Sequence, residues 1–144
     1  MMRLIYLPLL TCCLLPLVTG CSGGGALDTA AVTGTVTYNG KPLPYGSVSF
    51  RPKAGSPATG KLQTDGTFTM TTYHDGDGAI VGAHEVLIIA TETDAGTAPD
   101  VQPGTEMAVA KSVIPQKYTS FSTSGLTAEV IAGEENQFTF ALKD

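Results

Sequence analysis

Between positions 32 and 38 the chain alternates strictly. Val32, Gly34, Val36 and Tyr38 fall on one face and Thr33, Thr35 and Thr37 on the other, the period-2 pattern of a half-buried strand. Val48 and Phe50 repeat it between Ser47, Ser49 and Arg51. The segment 39–46 that joins the two runs is dense in Asn, Gly and Pro. The pattern therefore predicts a founding β-hairpin over 32–50, with a loop too long for a two-residue turn but pre-bent by Asn39-Gly40, Pro42 and Pro44.

The same period recurs downstream. A short strand over 60–64 presents Leu62, Asp65-Gly66 turns tightly, and a strand over 67–73 alternates Phe68, Met70 and Thr72 with Thr67, Thr69 and Thr71. The loop 73–82 leads into the most apolar run, 82–91, in which Val86, Ile88 and Ala90 face one way and Leu87 and Ile89 the other. Two apolar faces predict a central strand covered on both sides. Periodicity lapses over 93–110, a Gly-, Pro- and Asp-containing stretch that reads as a mobile surface excursion. Segment 112–118 returns the chain through Ile114 and Tyr118, and strands over 126–131 and 136–143 close it around a turn at Gly133-Glu134-Glu135-Asn136. Seven short strands without a helical period predict an all-β, Greek-key-like sandwich. Its expected core is Val32, Val36, Val48, Phe50, Leu62, Phe68, Met70, Val86, Ile88, Val130, Phe138, Phe140 and Leu142.

The amino terminus follows another rule. Arg3 precedes an apolar stretch from Leu4 to Val18 that is interrupted by Pro8 and Pro16, too short for the roughly 20 residues of a spanning helix and typical of a secretory signal. Residues 1–20 are thus expected to be a signal peptide of the Sec pathway. Val18-Thr19-Gly20-Cys21 resembles the lipobox of bacterial lipoproteins, which implies a lipidated Cys21 as the first mature residue. Cys12 and Cys13 fall in the leader, leaving Cys21 alone. Each buried methylene of an acyl chain contributes ~0.8 kcal/mol, so two or more chains hold firmly to a membrane. Ser22 resembles an outer-membrane sorting residue, placing the protein at the outer membrane or the periplasmic side of the envelope. Residues 21–31 then read as the lipidated Cys and a Gly-rich tether, about ten residues reaching roughly 15–20 Å as a flexible coil, and 32–144 as one domain.

With 144 residues the chain suffices for one disulfide-free core. Its net charge of −5, one unit more negative without Arg3, has no Lys/Arg cluster to displace counterions from a phosphate backbone. Nucleic acid is not an expected partner.

The set GTVTYNGKPLPYGSVSF, TDGTFTM, GAHEVLIIA, IPQKY, TSGLTAEV and NQFTFALKD, in that order, resembles the carboxypeptidase regulatory-like domain of small lipoproteins abundant in planctomycete-type bacteria. The resemblance spans nearly all of the chain after the tether. It implies a transthyretin-like β-sandwich and offers no catalytic residue to carry over.

Direct tests for chemistry agree with a non-catalytic module. His84-Glu85 opens like a zincin helix, but position 88 is Ile and the local period is that of a strand. His74 is the only other histidine, whereas a catalytic zinc needs about three protein ligands. His84 is expected at a strand start, facing solvent. There is no G-x-S-x-G and no phosphate-binding glycine loop. Asp75 and Asp77, alternate carboxylates in a Gly-rich loop, are the candidate metal ligands for a weak calcium site, although they are ordinary turn residues too. A Lys41–Asn136 isopeptide bond would need both residues buried beside a carboxylic acid. The reading is a lipid-anchored envelope protein binding a protein or glycan through sheet edges or loops, with a purely structural spacer as the alternative. Tyr38, Tyr45, Tyr73 and Tyr118, near strand ends or loops, are the candidate binding surface; their clustering at one end would favour binding.

Overall fold

A computed structural model of the chain describes residues 27–96 and 111–144. It is nearly all β, a sandwich-like fold of two principal sheets. The strands are β1 (Thr29–Ala30), β2 (Val32–Tyr38), β3 (Lys41–Pro42), β4 (Ser47–Pro52), β5 (Ala58–Lys61), β6 (Thr67–Thr69), β7 (Ala79–Ile80), β8 (Gly82–Ile89), β9 (Leu126–Val130) and β10 (Asn136–Leu142). Two short helical turns, Gln116–Thr119 and Phe121–Ser124, precede β9. In the first sheet β2 lies between β10 on one side and β3 and β6, end to end, on the other; the second runs β5-β4-β8-β9. An isolated bridge from Thr59 to Thr71 ties the sheets along one side. β1 and β7 form a separate two-stranded pair.

The expected seven strands are present, with three two-residue strands beside them, but the founding hairpin is not. β2 and β4 lie in different sheets and do not pair. β2 instead turns back at once: Asn39 and Gly40 take φ of 49° and 79°, and β3 pairs antiparallel with Thr37 and Tyr38. Left-handed φ at both central residues is the two-residue hairpin geometry that Asn-Gly favours. The remaining loop residues carry the chain across to the second sheet. β4 finds its partners later, in β5 and β8, while β2 pairs parallel with β10 from Val32↔Asn136 to Tyr38↔Leu142. The boundary at residue 31 also moves. Thr29 and Ala30, assigned to the tether, pair with Ile80 and Ala79, and Ala30 is buried.

Of the expected core residues all but Phe138 are buried; Phe138 packs against the core half-exposed. Phe50 of the second sheet inserts among aromatic rings of the first, edge-on to Phe138, Phe140 and Phe68 with centroids 5.7, 6.1 and 6.5 Å away. Gly34 explains how the rings fit. A Cβ there would lie 2.5 Å from Cζ of Phe68 and closer still to the Phe138 carbonyl, so β2 passes beneath Phe68 only as glycine. β8 is central as expected, with Val86 and Ile88, and Ala90 just beyond its end, fully buried. Its other face is covered at Leu87 but not at Ile89, which is 39% exposed.

Candidate functional site

Three of the four candidate tyrosines lie at one end of the sandwich, where β2 and β10 finish, β4 begins and β8 ends. Tyr38 closes β2 opposite Leu142. Its hydroxyl donates to the Asp144 carboxylate, which also accepts from Asn39 Nδ2 at 2.9 Å. These bonds, Tyr38's first and Asn39's second, with Lys117 nearby, hold the Asp144 carboxyl below its ordinary range. The same bond to Asp144 raises the Tyr38 phenol. Tyr118, buried on the first helical turn, donates its hydroxyl to the Lys143 carbonyl at 3.1 Å and accepts from the Lys143 N–H at 3.2 Å. Tyr45, half-buried against the core, precedes Gly46, whose φ of +114° brings its Cα against the Ile89 carbonyl with no room for a side chain. The bridge Thr91–Ser112 closes the base of the excursion at this end. Asp94 caps Thr91 there, accepting from its N–H at 2.8 Å and its hydroxyl at 2.7 Å. Residues 97–110 of the expected mobile stretch lie outside the described residues.

Tyr73 stands at the opposite end, beside the incoming chain, its hydroxyl accepting from the Leu27 N–H at 3.4 Å. Asp75 and Asp77 share its loop. Asp77 turns inward: Oδ1 accepts from the Thr72 N–H at 2.7 Å, and Oδ2 from those of Tyr73 and His74 at 2.9 and 3.0 Å. Desolvation pushes this carboxyl up, but the three N–H bonds, with His74 adding to them, outweigh it and keep the pKa below the usual carboxylate range. Asp75 is exposed and lines a polar groove of about 750 Å³ with Thr33, Thr35, Thr59, Lys61 and Thr69. Asp77 thus organises the turn. Among the described residues no three or more His, Cys, Asp or Glu side chains gather as a metal-binding group.

His84 does not face solvent. It is 3% exposed, opposite Ala128 on β9 and Pro52 on β4, with its ring 5.6 Å from that of Phe50. Nε2 lies 2.6 Å from the Ile80 carbonyl, so it carries the proton, and Nδ1 is buried without a partner. The signal was in the register: 84, 86 and 88 share parity, and Val86 and Ile88 face the core. His84 and Phe138 border a groove of about 510 Å³ with Arg51, Lys53, Glu85 and Glu129. The Arg51 guanidinium pairs with Glu85 and lies 4.2 Å from the centroid of the Phe121 ring.

Lys41 and Asn136 are too far apart for an isopeptide bond. Asn136 faces Val32 and Lys41 faces Tyr38, at opposite ends of β2. The buried Asn136 side chain is already spent on loop backbone, accepting from the Ile131 N–H at 2.8 Å and donating to the carbonyls of Ile131 and Glu134 at 3.1 Å. Cys21 lies outside the described residues.

No family model matches the chain, and no curated protein matches it. Among solved structures it is similar to a DUF3823 family protein from Parabacteroides merdae, at 13% identity and a TM-score of 0.38. The match covers 81% of this chain and 46% of that one, so the chain spans about half the length of that neighbour.

Proposed function

We propose that the chain is a non-catalytic, membrane-anchored envelope lipoprotein of the carboxypeptidase regulatory-like kind. Its sandwich meets a protein or glycan partner with the end that carries Tyr38, Tyr45 and Tyr118. The observation that carries this reading is polarity. The described chain enters beside Tyr73, at Leu27 and β1, while the three tyrosines gather where β2 ends, about 23 Å away for a seven-residue strand. A lipid on Cys21 would hold the entry end toward the bilayer and turn the tyrosine end outward, where loops at strand ends meet partners. The lipobox-like Val18-Thr19-Gly20-Cys21 supports the anchor. The small number of acid–base groups, two histidines in the whole chain, supports a role without turnover.

The spacer reading draws on one feature of the same end: the hydroxyls of Tyr38 and Tyr118 are committed to Asp144 and Lys143. Photocrosslinking in intact cells separates the two. With a photoreactive residue at position 45 or 73, a discrete, saturable adduct at 45 and none at 73 is the expected result. Membrane retention without any adduct at 45 leaves the spacer. Unchanged membrane fractionation of Cys21→Ser would overturn the anchor itself.

A further inference from the structure

Most strand edges in the fold are blunted. β3 is two residues long and contains Pro42. β6 is three residues long, and the chain just after it is bridged to β5. β9 has five residues, carries Glu129 and is followed by Ile131, whose backbone the Asn136 side chain holds. β10 differs. Its seven residues, NQFTFAL, contain no Pro, Gly or charge, and among the described residues it pairs only with β2. An edge of that length without such devices is a template for another strand.

The hydrogen-bonding direction of β10 can be read residue by residue. The Asn136 N–H donates to the Ala31 carbonyl and the Leu142 carbonyl accepts from Asn39, so even-numbered residues turn toward β2. Odd-numbered residues turn outward. At Lys143 the outward N–H and carbonyl are both taken by the Tyr118 hydroxyl. Gln137, Thr139 and Ala141 remain, three consecutive outward-facing positions.

We infer that β10 is a self-association edge, pairing antiparallel with β10 of a second copy of this chain about a two-fold axis at Thr139. Only registers that set odd residues against odd residues join the outward groups. With Thr139 opposite Thr139 of the second copy, Gln137 faces Ala141, and every N–H and carbonyl of the three residues finds a partner. A shift by two residues in either direction strands some of them. The same register brings the side chains of the exposed Glu135 and the exposed Lys143 of the second copy toward each other just beyond the two ends of the ladder, twice by symmetry. It also sets the half-exposed Phe138 against Phe140 of the second copy, extending the aromatic layer. Aromatic pairs across the ladder and opposite charges at its ends favour it, and like charges at the ends oppose it. This goes beyond the proposed partner binding: the antiparallel pair turns the two copies end for end, so it competes with the orientation in which both copies point the tyrosine end away from one bilayer.

Sedimentation of the purified full chain in detergent, over a concentration series, tests the inference. A monomer–dimer equilibrium is expected, weakened about tenfold by Glu135→Lys, which sets like charges at both ends of the ladder. The double reversal Glu135→Lys/Lys143→Glu is expected to restore it. Association through acyl chains or a shared micelle would not respond to the reversal. Hydrogen exchange should show the Gln137, Thr139 and Ala141 amides gaining protection as concentration rises. A monomer throughout the series overturns the inference. So does association that Glu135→Lys leaves unchanged or the double reversal does not restore, and so do edge amides indifferent to concentration.

Discussion

Phe50 shows how much of this fold rests on single side chains. It is fully buried and touches rings from both β6 and β10, so truncation removes contacts that no neighbour can replace. Phe50→Ala should cost about 3–5 kcal/mol in urea melts. Asp77 acts by hydrogen bonding instead, accepting three backbone N–H groups that would otherwise compete for water. Asp77→Asn keeps the shape but turns one oxygen into a donor, and should cost about 1–2 kcal/mol. Because the folded-state pKa of Asp77 is lowered, its contribution is present above the unfolded carboxylate pKa and is lost as pH falls through the folded value. The stability difference between wild type and Asp77→Asn should therefore shrink on acidification below the ordinary Asp range, as chemical melts at a series of pH values would show.

Two glycines separate backbone strain from crowding at the level of the element. Gly40 has φ of +79° with open space around it, so Gly40→Ala tests the left-handed turn alone and should cost about 1 kcal/mol. Gly34 is crowded by the Phe68 ring and the Phe138 carbonyl, and Gly34→Ala should cost more, about 2–3 kcal/mol, by overpacking. Paired melts of the two variants check the order. These positions also mark what a local pattern can and cannot reveal. Alternation in Val32, Val36, Val48 and Phe50 was enough to assign their inward faces, because side-chain parity is a property of one strand. Partner choice is not: nothing near β2 announces β10, and the 39–46 loop reads equally well as a hairpin or as a turn followed by a crossing between sheets. Apolar content alone did not expose the burial of His84; the signal lay in its parity with Val86. In the candidate site the tyrosines were identifiable as residues near loops, but their division between two ends depends on topology, and Asp77's inward turn on bonds to neighbours whose N–H directions no sequence pattern specifies.

For the whole molecule, protection should follow position in the sheets. Amides of Val86 and Ile88, on a strand paired from both sides, should exchange only through global unfolding. Those of Asp94 and Gly96, held by single turn bonds to Thr91 and Thr93, should exchange orders of magnitude faster. The parallel pairing of β2 with β10 adds an element of timing. The second sheet draws its antiparallel neighbours from within residues 47–130, whereas the first joins Val32 to Asn136, so an early strand waits for a much later one. Such separation makes loop closure a late and slow step. A chain emerging in order from a ribosome or a translocation channel can assemble the second sheet first, while one edge of β2 stays unpaired until β10 is free.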